Sequence, residues 1–134
     1  MDEVRVSRGA VDEITAHAIE ALPAECCGML LGLGSDVVEA RRARNLADSP
    51  DRFVIDPKSH FDALREARTR GLGVIGFYHS HPHSEPKPSA TDLAEATYPD
   101  CVHMIIGPLP ERATVRLFRY EGLTFVELDF RVRQ

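Results

Sequence analysis

Two histidines and one aspartate in the middle of the chain have the residue types and spacing of a metal site. His79 and His81 end a short apolar run that begins at Val74. Because side chains two residues apart on a β-strand point to the same face, the two imidazoles are predicted to lie side by side. Asp92 falls in the first turn of a helix predicted to begin at Ser89, after a proline-containing loop. Two imidazoles and a carboxylate would supply three zinc ligands and leave the fourth position to water, as in catalytic zinc sites.

The same residues also have ordinary structural interpretations. Ser89 and Asp92 form the pattern of a helix N-cap with an acidic residue at the third position. Either histidine, taken alone, is more typical of a half-buried strand position. The metal interpretation is favoured by the combination, because His-x-His, seven residues and Ser-x-x-Asp follow one another on a strand, a loop and a helix that can fold back together.

This combination resembles the motif of the JAMM or MPN-plus metalloproteases, in which a distant glutamate precedes His-Ser/Thr-His, seven residues and Ser-x-x-Asp. The resemblance implies that His79, His81 and Asp92 bind one zinc ion and that Ser89 helps to hold the tetrahedral intermediate. It also implies that an upstream glutamate activates the water. Glu25 is the predicted glutamate, because the run Pro-Ala-Glu-Cys-Cys-Gly is similar to the family's Pro-x-Glu-x-Cys-Gly segment. The likeness covers most of the chain in element order.

The predicted residues are suited to amide hydrolysis without a covalent intermediate. A zinc ion with two neutral imidazoles and one carboxylate keeps a positive charge and lowers the pKa of its water towards about 7. Glu25 would take the proton of that water and later hand it to the leaving amine. Ser89 could donate to the developing oxyanion while also capping the helix. Without the downstream motif, Glu25 would be interpreted as a solvated carboxylate at a strand end.

The resemblance further implies a zinc-dependent peptidase or isopeptidase that cuts after the C-terminal tail of a ubiquitin-like or sulfur-carrier protein. We expect an extended tail with small residues, which would reach the zinc by pairing with an exposed sheet edge. The alternative is an MPN-type protein interaction module without catalysis, but such relatives lack ligands that this chain contains. A zinc deaminase is not favoured, because His-x-Glu and Pro-Cys-x-x-Cys are absent and Cys26-Cys27 has the wrong spacing.

Length and charge indicate a single domain that does not bind nucleic acid. A chain of 134 residues is long enough for a single domain over 1–134 that needs no disulfide or structural metal for stability. Its 16 basic and 21 acidic residues give a net charge of −5 and are mixed along the chain, which argues against a nucleic-acid-binding surface. The cluster Arg41, Arg42 and Arg44 is interpreted as a solvated strand face.

Cysteine use and hydropathy favour a cytoplasmic protein. Cys26, Cys27 and Cys101 cannot all pair within the chain, which is typical of a reducing compartment, and Cys27 is predicted to be a small core residue. No apolar run approaches the roughly 18 residues that span a bilayer, and the N-terminus lacks the apolar core of a signal peptide. We expect a monomer or homodimer with no nucleic-acid or membrane partner.

Periodicity predicts an α/β chain of the α+β type, with three layers and a mixed, largely antiparallel sheet flanked by helices. The resemblance implies a similar fold, related to the cytidine deaminases. The predicted strands are 4–7, 25–33, 37–45, 53–55, 74–81, 102–106, 114–120 and 124–130. The predicted helices are 11–22, a second from Asp56-Pro57 to Gly71, and a third from Ser89 to about Tyr98-Pro99. Their inward-facing residues are predicted to be Val11, Ile14, Ala18 and Leu22 in the first helix, and Phe61, Leu64 and Ala67 in the second.

The remaining polar side chains near the motif are predicted to have packing or solvated roles. Tyr78 and Ser80 alternate with the two motif histidines and should point to the opposite face of the strand. His17 and His60 lie in predicted helices, and His83 lies in the loop beside the motif. For His103 the pattern does not decide which face of its strand it occupies.

Overall fold

The elements of the fold follow the predicted order closely. The computed structural model describes residues 3–96, 98–99, 101–111 and 113–134. The helices in these residues are α1 (Arg8–Ala21), α2 (Pro57–Thr69) and α3 (Ala90–Glu95). The strands are β1 (Val4–Ser7), β2 (Cys27–Leu33), β3 (Asp36–Ala43), β4 (Gly73–Ser80), β5 (Val102–Gly107), β6 (Thr114–Tyr120), β7 (Phe125–Leu128) and β8 (Phe130–Arg133).

The described strands form one mixed sheet in the order β7-β6-β5-β4-β2-β3-β1-β8. Antiparallel pairs outnumber parallel pairs among them: β2–β3, β2–β4, β5–β6 and β6–β7 against β1–β3, β1–β8 and β4–β5. β4 lies in the interior between β2 and β5, so hydrogen-bonded ladders on both sides fix its register. The strand that ends at the motif histidines is therefore held from both sides.

Helices cover both faces of this sheet, which confirms the three-layer α+β prediction. Ile14 of α1 belongs to a core cluster with Leu30 of β2. On the other face, Ala63 and Ala67 of α2 belong to a second cluster with Phe77 of β4. Successive residues of β2 alternate between the two clusters, because neighbouring side chains on a strand point to opposite faces. The motif histidine on β4 shares the α2 face with Phe77, two residues before it.

The inward face of α2 differs from the prediction. Phe61 and Leu64 are 62% and 46% exposed, so their predicted burial is wrong, whereas that of Ala67 is confirmed. α2 contacts the sheet mainly through Ala63 and Ala67, which are four residues apart and lie on one helix face. Small side chains let the helix approach the sheet closely, and the larger apolar residues are left at the flank. In α1, Ile14 and Ala18 are buried as predicted. Leu22 lies just beyond the helix as its C-cap and is not among the buried residues.

Three element boundaries also differ. Residues 53–55 form no regular strand; Ile55 makes only an isolated antiparallel bridge with Asn45. α3 ends at Glu95, with Ala96 as its C-cap, and not near Tyr98. The last predicted strand is divided at Asp129, because β7 pairs with β6 whereas β8 crosses to the far edge of the sheet beside β1.

Gly107, the last residue of β5, lets the loop that carries His81 lie close to the sheet. A Cβ at this position would collide with the His81 carbonyl oxygen and lie 2.8 Å from that of Ser84. Because both obstacles are backbone atoms, we expect Gly107→Ala to destabilise the fold by about 1–3 kcal/mol and to weaken zinc binding. Thermal unfolding and zinc titration measure the two effects. Gly73→Ala is the matched strand control, since a Cβ there has open space among the described residues; equal losses in both variants would contradict this expectation.

Candidate metal centre

Three side chains converge at the C-terminal end of β4. His79 Nε2 lies 3.2 Å from His81 Nε2, and Asp92 Oδ2 lies 3.1 Å from the first nitrogen and 3.0 Å from the second. All three side chains are at most 8% exposed. The predicted strand alternation brings the two imidazoles together, and the loop after Pro82 returns α3 so that its first turn faces them.

The spacing of these atoms fits one zinc ion. Ligand bonds of about 2.0–2.1 Å in a tetrahedral site place ligand atoms roughly 3.3 Å apart. The observed separations of 3.0–3.2 Å are close to that value. Two imidazole nitrogens and a carboxylate oxygen are also a ligand set that zinc commonly takes in proteins. Of the acidic, histidine and cysteine residues in the described part of the chain, His79, His81 and Asp92 form the group that could hold such an ion.

Neighbouring groups orient two of these three side chains. His81 Nδ1 donates to the Glu85 carbonyl oxygen at 2.9 Å, which leaves Nε2 as the lone-pair nitrogen of the neutral ring. Asp92 Oδ2 accepts the Ser89 N–H at 2.9 Å, and Ser89 Oγ accepts the Asp92 N–H at 3.0 Å. This is a capping box at the start of α3. The N-cap and metal-site interpretations therefore hold together, because the cap itself aims the carboxylate.

The protonation of the group also suits a cation. Burial acts to raise the pKa of Asp92, but its contacts with the His79 and His81 rings outweigh burial and hold that pKa below its usual range. Burial also opposes a charge on His81, but in the metal-free protein its contact with Asp92 outweighs burial and raises the pKa of His81. Burial lowers the pKa of His79. Asp92 therefore offers an anionic oxygen and His79 a neutral imidazole, the protonation states that metal ligation requires, and any proton on His81 would be released when a metal binds.

Glu25 lies beside this group, two residues before β2, which begins at Cys27 and not at the predicted residue 25. Its neighbour Cys26 accepts the Ser80 N–H at 3.1 Å, and Cys27 is opposite His79 in the β2–β4 ladder. The alternation of side chains therefore places Glu25 on the same face as the histidines. The Glu25 side chain is buried, and its Oε1 has no hydrogen-bond partner among the described residues.

The environment of the Glu25 carboxyl makes it a stronger base than an exposed glutamate. Burial raises the pKa of Glu25 to about 8; His81 opposes the shift, whereas Asp92 and Asp51 add to it. An unpaired carboxyl oxygen with a raised pKa, close enough to His81 and Asp92 to respond to their charges, is suited to accepting a proton.

Comparison with known proteins agrees with this arrangement. A family model described as prokaryotic homologues of the JAB domain matches residues 7–121. The chain belongs to this family. The resemblance to the JAMM metalloproteases is thereby confirmed, and the match includes the histidines, the aspartate and Glu25.

Two relatives of this JAB domain are named as a desampylase and as a peptidase. A protein named desampylase from Haloferax volcanii is 40% identical over 107 residues, which cover 74% of this chain and 76% of the relative. A protein named CysO-cysteine peptidase from Mycobacterium tuberculosis is 32% identical over 112 residues, covering 81% of this chain and 77% of the relative. A solved structure described as containing JAMM, a metalloprotease-like zinc site, superposes with a TM-score of 0.62 at 22% identity. It covers 99% of this chain and 100% of the other, and this likeness shows the fold.

A cleft of about 360 Å³ opens directly beside the metal centre of the JAB domain. His79 and Asp92 form part of its wall, and most of the remaining lining is aromatic or aliphatic, including the rings of Phe53, Phe77, Tyr98, His103 and Phe125. Pockets of this kind, apolar with a few polar groups at one end, are the usual form of a substrate site.

Sequence patterns did not identify two of these lining residues. His103 lies on the cleft face of β5, where burial lowers its pKa to about 4 and its Nε2 has no partner among the described residues. The ring of Phe53 stacks on His79, with centroids 4.4 Å apart and planes inclined by 25°. Strand alternation in β5 could have placed His103 on the cleft face once the orientation of a neighbouring strand residue was known. Phe53 carried no such signal, because its segment has no regular period.

Other predicted polar residues take the structural roles expected of them in the JAB domain. Tyr78 and Ser80 point away from the metal centre; the Tyr78 hydroxyl lies 2.7 Å from His17 Nδ1, and Ser80 Oγ accepts the Cys26 N–H at 2.8 Å. His60 packs edge-on against Phe77. Cys27 is fully buried, as predicted. Among the described residues, no helix is both long and apolar enough to cross a membrane.

Proposed function

We propose that this protein is a zinc-dependent peptidase or isopeptidase that hydrolyses an amide bond after the C-terminal tail of a ubiquitin-like or sulfur-carrier protein. The observation that carries the proposal is the convergence of His79 Nε2, His81 Nε2 and Asp92 Oδ2 within 3.2 Å beside a buried glutamate without a partner. An interaction module would have no need of this arrangement.

Each residue of the centre has a distinct role in the proposed reaction. His79, His81 and Asp92 would hold the zinc ion, which when bound supplies the Lewis acidity that activates water and polarises a carbonyl group. Glu25 takes a proton from the attacking water and gives it to the leaving amine. Its position supports both steps, because the carboxyl is buried beside the ligands and its Oε1 has no partner among the described residues.

Ser89 combines a structural and a chemical role. Its oxygen uses a lone pair to cap α3 by accepting the Asp92 N–H. The hydroxyl hydrogen can therefore still be donated to the oxyanion that develops on the scissile carbonyl, and Ser89 is exposed enough to meet a substrate.

The substrate class is supported by the relatives and by the shape of the cleft. One relative is named as a peptidase of CysO-cysteine, and the JAMM resemblance implies tails of small carrier proteins. β4, the strand that leads to the metal centre, is paired on both sides and offers no edge to the tail. Phe53, Val54 and Ile55 instead line the cleft beside His79, outside the sheet, and we place the extended tail along them.

The test compares three substrates under the same conditions: a carrier protein conjugated through its C-terminal tail, a folded di-ubiquitin, and an unrelated unstructured peptide. We expect the zinc-loaded protein to cleave the carrier conjugate fastest, because a cleft of about 360 Å³ beside the metal centre has room for a few residues of an extended tail and not for a folded body. Cleavage rates are followed by mass spectrometry. Equal rates on all three would contradict tail recognition, and no cleavage of any with zinc bound would favour the interaction module.

A further inference from the structure

The 45–55 segment, which joins β3 to α2, contacts the candidate base and a candidate ligand at once. It follows β3 and closes on itself through the bridge between Asn45 and Ile55. The Glu25 N–H donates to the Ser49 carbonyl oxygen at 2.7 Å, and the Glu25 carbonyl oxygen accepts Asn45 Nδ2 at 3.0 Å. Both backbone polar groups of Glu25 are thus held by one segment that is not a regular part of the sheet.

Asn45 is the residue that shapes this segment. Its Nδ2 donates to the carbonyl oxygens of Glu25 and, at 3.3 Å, of Arg52. Its Oδ1 accepts the N–H groups of Ala47 and Val54, each at 2.9 Å. A side-chain amide has two N–H donors and two acceptor lone pairs, and here all four are used. Neither aspartate nor serine could make this set of bonds, which makes the position specific for an amide.

Phe53 holds the His79 ring by stacking. A metal-binding histidine usually donates its second ring nitrogen to a carboxylate or carbonyl oxygen, which fixes the ring orientation. His79 Nδ1 has no such partner among the described residues, although the ring is buried. The Phe53 ring lies 4.4 Å away and nearly parallel, so packing replaces the missing hydrogen bond.

We propose that the 45–55 segment is the positioning element of the active site, in which Asn45 sets the place of Glu25 and Phe53 sets the orientation of His79. Both act through another residue and are therefore positioning residues. The Asn45 part concerns the reaction proposed above and rests on it only where turnover is measured. The Phe53 part concerns zinc affinity and can be tested without any substrate.

Four substitutions separate these roles from general stability. Phe53→Leu removes the stacked ring, and Phe53→Tyr keeps an aromatic ring at this position. Asn45→Asp keeps the two acceptor bonds but removes the donations to the carbonyl oxygens of Glu25 and Arg52. Arg52→Gln is the control within the same segment, because in the described part of the chain the Arg52 side chain pairs with Glu95 at the surface, where the two side chains are 51% and 42% exposed.

The first measurement is zinc affinity, determined by competition with a chromogenic chelator. Phe53→Leu is expected to weaken zinc binding by roughly 10–100-fold, the range seen when a group behind a metal ligand is lost. Phe53→Tyr and Arg52→Gln should bind zinc as the unchanged protein does. Zinc binding by Phe53→Leu as tight as by Arg52→Gln would overturn the role of Phe53.

The second measurement concerns Asn45→Asp. We expect kcat to fall by roughly 10–100-fold at unchanged KM and unchanged zinc affinity, since a small displacement of a reacting group has an effect of this size. Amide hydrogen exchange at Glu25, read by NMR, should accelerate while exchange in α1 does not. Parallel losses of zinc affinity, thermal stability and kcat would show a merely structural role and overturn the proposal. If the unchanged protein cleaves no conjugate, the function proposed above fails, whereas zinc affinity and amide exchange still decide this inference.

Discussion

Glu25→Gln is expected to lower the rate of conjugate hydrolysis by roughly 10²–10⁴-fold while zinc remains bound, the range of a general acid–base contribution. Glutamine has the size and shape of the glutamate but cannot take a proton from water. The ligand atoms of His79, His81 and Asp92 contact one another without Glu25, so the metal centre should stay intact. The measurements are kcat for cleavage and zinc content by elemental analysis.

The stability of this variant provides an independent check. In the metal-free protein, burial raises the pKa of Glu25 from 4.5 to about 8. A group with a raised folded-state pKa contributes stability while protonated and loses it as the pH rises between the two values. Above pH 8 the glutamine variant should therefore be at least as stable as the unchanged protein. Glu111→Gln, at an exposed site, is the control for both measurements. Near wild-type cleavage by Glu25→Gln would mean that Glu25 is not the base.

Asp92→Ala is expected to empty the zinc site. It removes one of three ligands, so the loss of affinity should exceed the roughly 10–100-fold typical of residues behind a ligand. It also removes the acceptor of the Ser89 N–H in the capping box, which should destabilise the start of α3 by about 1 kcal/mol. Zinc content and thermal unfolding with and without added zinc measure the two losses.

The control for Asp92→Ala is Thr91→Ala, one residue away on the same short helix and exposed to solvent. This variant keeps every ligand and both bonds of the capping box. It should retain about one zinc per chain and the stabilisation that zinc provides. Full zinc occupancy in Asp92→Ala would remove Asp92 from the ligand set.

The metal centre could be predicted from sequence because its geometry is local. Alternation on a strand placed His79 and His81 together, and the helix-start pattern placed Asp92 in the first turn of α3. Both predictions use only residues that are close together in the sequence, on one strand and on the helix that follows it. Glu25 is distant in sequence and was identified by resemblance, since nothing in its own segment distinguishes it from a solvated carboxylate.

What the sequence did not reveal depends on contacts between distant segments. Residues 53–55 have the β-branched and aromatic composition of a strand, yet Val54 donates to the Asn45 side chain and accepts the Leu46 N–H, and no regular ladder forms. In α2, the hydrophobicity of Phe61 and Leu64 predicts that they face inward, but Ala63 and Ala67 allow a closer approach to the sheet and are the buried pair. The break at Asp129 carries no turn signal, because it results from β8 pairing with β1 at the other end of the chain.

The most direct test of the central claim is mass spectrometry of a carrier-protein conjugate incubated with the zinc-loaded protein in water enriched in the heavy oxygen isotope. The sample is compared with a chelator-treated one and with one to which zinc has been restored. We predict release of the free carrier with one heavy oxygen atom at its new C-terminus, loss of cleavage after chelation, and recovery with zinc. Cleavage that persists at full rate in the metal-free protein, or an intact conjugate when zinc is bound, would contradict this account.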